Sequence, residues 1–297
     1  MVDGGWDGRG LPPVARKRIA RAAADGVRTS LLPANGAAGL RASGFDVVGE
    51  VLGTIVMQIS WTGFGGCGYT PMAGFGGYGF GPGTVTSGSR SRWAGYAPYV
   101  EALQHGRNTA LERMIMEASA LGADGVVGVR LTDERMDTTK REFMALGTAV
   151  RSRGGQRPAR PFTTDLSGQD VAKLLEAGWV PAGIVYGISV AIRHDDWRTQ
   201  AQTGVFAGNV EVGGYTELMT HVRADARREF SRLAARLGGD SALLSSMSQH
   251  VWDYEVSEGH RDHIAECVIT GNAVARYHDS SFRPTSTLTY LPLRSSR

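Results

Sequence analysis

The residues best suited to hold a soft or borderline metal are His260, His263 and Cys267, with His194, Asp195 and Asp196 as partners that folding could bring near. Such metals take clustered thiolates and imidazoles, typically four ligands, or three and a water. If His263 and Cys267 share a strand, their spacing of four puts both side chains on one face. His260, however, sits in a charged Glu-Gly-His-Arg-Asp turn, where a histidine reads as solvated. The cysteines, Cys67 and Cys267, form no Cys-x-x-Cys pair, which argues against a disulfide scaffold or a structural zinc site. The expectation is no bound metal and no other cofactor, with these three residues as the ligand candidates.

Acid-base and nucleophilic chemistry find no better footing. Asp124 and Asp240 each follow a glycine that stops a helix, Gly122 and Gly238, and suit a turn in which a short carboxylate accepts backbone N–H groups. Glu101 and Glu217 fall near helix starts, where the macrodipole favours a carboxylate. No Gly-x-Ser-x-Gly elbow and no P-loop occurs, and the Gly76–Gly81 stretch lacks the lysine and the following helix that a phosphate loop needs. The chain is expected not to be an enzyme.

What positions these residues is an internal repeat. Gly44, Gly49 and Gly53 fall on Gly178, Gly183 and Gly187 at an offset of 134. Tyr99-Val-Glu101 matches Tyr215-Thr-Glu217, and Leu121–Asp124 matches Leu237–Asp240, at an offset of 116. Gly147-Thr-Ala-Val150 matches Gly271-Asn-Ala-Val274 at 124. Each copy reads as strand, loop, long helix, strand, strand. The first strands are Val47–Ile59 and Ile184–Ile192. The second helix is marked by Leu218, Val222, Ala226, Phe230, Leu233 and Leu237 at steps of three and four. In the first copy Leu103, Leu111, Met114 and Ala118 play that part, and one continuous helix through Gly106 is expected, the alternative being a break there capped by Thr109 and Glu112. The fold class is α/β, or α+β: two tandem domains, each a small sheet with one long amphipathic helix.

At Leu121–Val129 (LGADGVVGV), Gly147–Val150 and Val47–Gly53, the chain resembles the YbjQ-like family, small bacterial domains often labelled heavy-metal-binding. The match covers the first copy from about Thr29 to Val150. In the second, Gly125–Gly128 is replaced by Ser241-Ala-Leu-Leu244, a degenerate version. The resemblance implies an α/β fold assembling into five-fold rings and carries a metal-binding label. The divisions read from the sequence are a basic arm at 1–28, a first domain at 29–152, a linker at 153–162, a second domain at 163–278 and a polar tail at 279–297.

Two segments fall outside the repeat. Residues 61–98 interleave glycine with Phe64, Tyr69, Phe75, Tyr78 and Phe80, rings that need a covering surface if exposed together. The equivalent piece of the second copy, Asp195–Gly214, is 18 residues shorter. Near the N-terminus a short helix started by proline carries Arg16, Lys17, Arg18 and Arg21 over a mostly alanine side. Docking on the protein's own domain or a neighbour competes there with weak membrane contact. Net charge is +3, and the 32 basic residues include only three lysines, a bias that does not point to nucleic acid. With no long apolar run and a polar N-terminus, the expected location is the cytoplasm. These features favour a non-enzymatic homo-oligomeric assembly protein that uses the aromatic loop and basic helix to engage a further protein or a membrane surface. A metal-binding or metal-responsive protein is the first alternative, and an enzyme with its site between subunits the second.

Overall fold

The computed structural model describes residues 6, 10–25, 29–59, 85–88, 97–137, 139–155, 157–257 and 260–277. In chain order the elements are α1 (Pro13–Asp25), α2 (Ala34–Ala42), β1 (Phe45–Gln58), β2 (Val85–Gly88), α3 (Ala97–Ala120), β3 (Gly125–Arg135) and β4 (Lys140–Ser152). They continue as β5 (Phe162–Thr163), α4 (Gly168–Glu176), β6 (Trp179–His194), α5 (Trp197–Thr203), α6 (Gly213–Arg236), β7 (Ser241–Ser257) and β8 (His260–Arg276). The first sheet runs β1-β4-β3-β5 and the second β2-β6-β8-β7. Among the described residues no helix is long and apolar enough to cross a membrane.

The duplication extends to atomic contacts. Helices α3 and α6 are each 24 residues long and are displaced by 116 at both ends. Each copy breaks its strand register at the same place, between Val47 and Gly49 and between Pro181 and Gly183. A Cβ added at Gly53 would stand 2.0 Å from the Ala110 carbonyl oxygen, and one at Gly187 2.0 Å from that of Ala226. The repeated glycine therefore lets each long helix lie directly on its first strand. Helix α3 passes unbroken through Gly106, as expected, and the glycine is there because Phe143 lies on it: an added Cβ would meet that ring at 2.4 Å.

Three helices go beyond the expected order of elements. Helices α2 and α4 are equivalent nine-residue pieces whose weak helix propensity, with Gly36 and Gly39 in α2, hid them. They pack glycine against glycine, so that a Cβ on Gly168 would lie 2.5 Å from Gly36 O. Helix α5 occupies the short loop of the second copy and is capped by Asp196, whose side chain accepts the Thr199 N–H. The segment read as a loop at 61–98 contains β2, four residues too short to show a period, which pairs antiparallel with β6. At the end of the expected linker, β5 pairs in parallel with β3. Each sheet thus takes a short strand from the other copy.

Alternation on β6 sets the layers. Ile184, Tyr186, Ile188, Val190 and Ile192 join the core around α3, whereas Val185 and Ala191 join that around α6. The order is first sheet, α3, second sheet, α6. Replacing Gly187 with alanine is expected to destabilise the protein by about 3 kcal/mol, since the intruding methyl meets helix backbone. The same change at Gly155, which has open space around it, is expected to shift stability by less than about 0.5 kcal/mol. Urea unfolding followed by circular dichroism checks both.

Candidate functional site

The joint between the copies has a polar centre inside apolar surroundings. From α3, the Tyr99 hydroxyl donates to Glu266 Oε2 on β8 at 2.7 Å. From β4, Arg141 Nη2 donates to the Tyr99 hydroxyl at 2.9 Å and lies 3.4 Å from Glu266. Asp133 on β3 receives Arg141 at 3.4 Å and Arg107 of α3 at 3.0 Å. The Arg107 guanidinium lies 5.9 Å from the Tyr186 ring centre, while the Tyr186 hydroxyl bonds to Asn108. Burial, reinforced by Glu266, pushes the Tyr99 hydroxyl above its ordinary range, so it stays protonated and donating. A cleft of about 250 Å³ opens beside this network, lined by Arg107, Arg135, Arg141, Asp133 and Glu266. Ser248 and His250 of β7 also line it, and the ion pairs and hydrogen bonds of the network fasten two sheets across α3. Ion pairs spanning more than a hundred residues leave no local pattern, and only the repeated tyrosine hinted at this one.

A second cluster surrounds His263, which is buried on β8. Its Nδ1 meets Asp253 at 2.6 Å, and its Nε2 meets Asp195 at 2.9 Å and the Tyr215 hydroxyl at 2.8 Å. His194 pairs with Asp262. Cys267 does share a face with His263, but four residues of strand separate them by roughly 14 Å. Cys267 packs instead into the α6 core, where burial pushes its thiol up to about 11 and keeps it protonated. The His260 side chain lies outside the described residues. Both ring nitrogens of His263 are engaged, and among the described residues no three His, Cys, Asp or Glu side chains converge to hold a metal.

The turn residues occupy equivalent places. Gly122 and Gly238 have φ of 68° and 74°. Asp124 Oδ2 accepts the Ser152 N–H at 2.8 Å, and Asp240 Oδ2 accepts that of Arg276 at 2.9 Å. Arg18 of α1 is engaged within the chain by Glu117, a buried residue of α3 that also accepts the Leu52 N–H at the edge of β1. Arg16, Lys17 and Arg21 remain exposed. Phe64, Tyr69, Phe75, Tyr78 and Phe80 lie outside the described residues.

Residues 86–153, from β2 to just past β4, match a family model for YbjQ proteins described as "Putative heavy-metal-binding". A UPF0145 protein of Halorubrum lacusprofundi is 44% identical over 70 residues, 23% of this chain and 67% of that protein. The chain belongs to the YbjQ-like (UPF0145) family. Another YbjQ-like relative, the UPF0145 protein of Archaeoglobus fulgidus, is 51% identical over 55 residues, 18% of this chain and 51% of that protein. Similarity of a different extent links the chain to "Encapsulin nanocompartment protein Rv1762c" of Mycobacterium tuberculosis, 31% identical over 278 residues, 90% of this chain and 92% of that protein. The YbjQ-like resemblance read from the sequence is thus confirmed for the first copy, and the similarity to the mycobacterial protein spans both copies.

Because both His263 nitrogens face protein groups, a chelator is expected to leave the thermal midpoint unchanged. His263→Ala is expected to cost about 2 kcal/mol by leaving the largely buried Asp195 carboxylate without its hydrogen-bond partner. Differential scanning calorimetry with and without chelator, on both proteins, reads the two effects separately.

Proposed function

We propose that this YbjQ-like chain is a non-enzymatic structural subunit whose work is to assemble with copies of itself. The observation that carries the reading is β7. This 17-residue strand ends its sheet, and Leu244, Met247 and Val251 on it are 53%, 42% and 46% exposed. A long end strand bearing apolar side chains invites pairing with another chain, and soluble proteins ordinarily blunt or cover one. The mycobacterial relative is named for an encapsulin nanocompartment, and that name supports the same direction. The implied architecture is a closed homo-oligomer, of which a five-membered ring is one form. Residues 61–98 and the exposed cations of α1 are the proposed attachments for a further protein or membrane surface.

The size of the particle tests this. Light scattering at micromolar concentration is expected to give a mass several times the 31.7 kDa of one chain, and a sharp monomer would end the proposal.

A further inference from the structure

The joint inside the chain is half of a pattern that has a vacant counterpart at each end. Every sheet has one face on its own long helix and a second face turned outward along the stack. The second sheet uses that second face to cover α3, with Glu266 projecting from it. On the first sheet the equivalent face carries Glu142, the counterpart of Glu266, and half-exposed Val56 beside it in register. At the other end, the outward side of α6 is the counterpart of the side of α3 that receives the second sheet. Arg223 of α6 stands where Arg107 stands in α3.

The charges at these open ends are complementary. Arg107 donates to Asp133, a carboxylate. Arg223 keeps the same geometry on the equivalent residue of β7, but that residue is Gln249, whose neutral oxygen it meets at 2.8 Å. Arg223 Nε is buried without a partner among the described residues, as Arg107 Nε is in the internal joint, so the difference between the two arginines lies in the exchanged carboxylate. Glu142 likewise has no described ion-pair or hydrogen-bond partner. A cation with its carboxylate exchanged for an amide and a carboxylate without a cation thus lie at opposite ends of one chain.

The backbone shows the same incompleteness. Residues 162–166 are held by their own copy, where Asn272 Oδ1 accepts the Asp165 N–H at 3.0 Å. Their other side pairs with the first copy: the Thr164 N–H reaches Val126 O, and the Phe162 N–H reaches Asp124 O. Residues 29–32 are the equivalent segment, held in the same way by the Leu31 N–H on Thr148 Oγ1 at 3.0 Å. Ser30, the counterpart of Thr164, is exposed, with no described backbone partner. On β7, Ala242 is the counterpart of Val126. Beyond it the match loosens, because the Gly128 bulge with φ 65° is replaced by Leu244.

We infer that chains join head to tail in the manner of the internal joint: the first sheet of one chain covers α6 of the preceding chain and Ser30 adds to the β7 edge at Ala242, while the charges pair anew. In the internal joint Glu266 meets Tyr99 and Arg141, with Arg107 lining the same cleft. The counterpart of Arg141 is Ala265, and Tyr215, the counterpart of Tyr99, is engaged by His263, so Glu142 is left to meet Arg223. The inference rests on the self-assembly proposed above and specifies its contact. A contact between two different surfaces closes a ring when its rotation divides the circle and otherwise extends a filament.

Charge reversal on the full chain tests it by sedimentation velocity over a dilution series, with circular dichroism as the check on folding. Glu142→Arg and Arg223→Glu are each expected to raise the dissociation constant at least tenfold, and the double variant is expected to recover most of that loss. Ser30→Pro, which removes the N–H that would pair with Ala242, is expected to weaken assembly independently of either charge. If the unmodified chain stays monomeric, self-assembly and the joint fail together. If it assembles, but the folded single variants and Ser30→Pro assemble equally well, or the double variant recovers nothing, the head-to-tail joint is wrong while self-assembly stands. Should a charge variant misfold, Ser30→Pro decides alone, and unchanged assembly of that variant overturns the joint.

Discussion

Helix α3 is covered on both sides, and much of the molecule follows from that. A helix with one apolar stripe can rest on one sheet and face water, but α3 carries Val100, Leu103, Ala110 and Met114, all essentially inaccessible, and needs a second cover. The second copy supplies it with the aliphatic face of β6. That demand explains why β6 is buried along nearly its whole length, whereas β1, its counterpart, is only partly buried. It also explains why charged residues occur in the middle: Arg141, Glu266 and Asp133 are tolerable there because they are paired and hydrogen-bonded.

The asymmetry between the copies follows from the same layering. Where α3 meets the second sheet, Arg107, Asn108 and Tyr99 reach named partners across the joint. On α6 the outward side bears Thr216, Thr220 and Arg227, which are exposed. Within a single chain the two copies therefore play different parts, one filling the space between layers and one lying outermost.

Much of this architecture was legible in the sequence because its causes are local or periodic. The long helices, the glycines at Gly53 and Gly187 and the three main strands of each copy leave patterns of spacing that a duplicated chain prints twice. Elements whose causes are distant were not legible. Helix α2 is held by its packing on α4, not by its own propensity, and β2 exists because β6 offers an edge. For the candidate sites, the sequence brought His263 and Asp195 into consideration and the structure joins them, but it joins them to Asp253 and Tyr215 and leaves Cys267 apart. Nothing in the residue types around Tyr99, Arg141 and Glu266 marked them as a set, since their proximity is created by the stacking of whole layers.

The exchange of short strands makes the two copies a single mechanical object. Because β2 lies in the second sheet and β5 in the first, the chain is latched twice across its midline, once on each side of the boundary that composition suggests. A nick between the copies leaves both latches closed, and separated halves would each lack one strand and expose one apolar face. The duplication has thus passed the stage at which its halves could live apart: what began as two modules now folds, and must be inherited, as one.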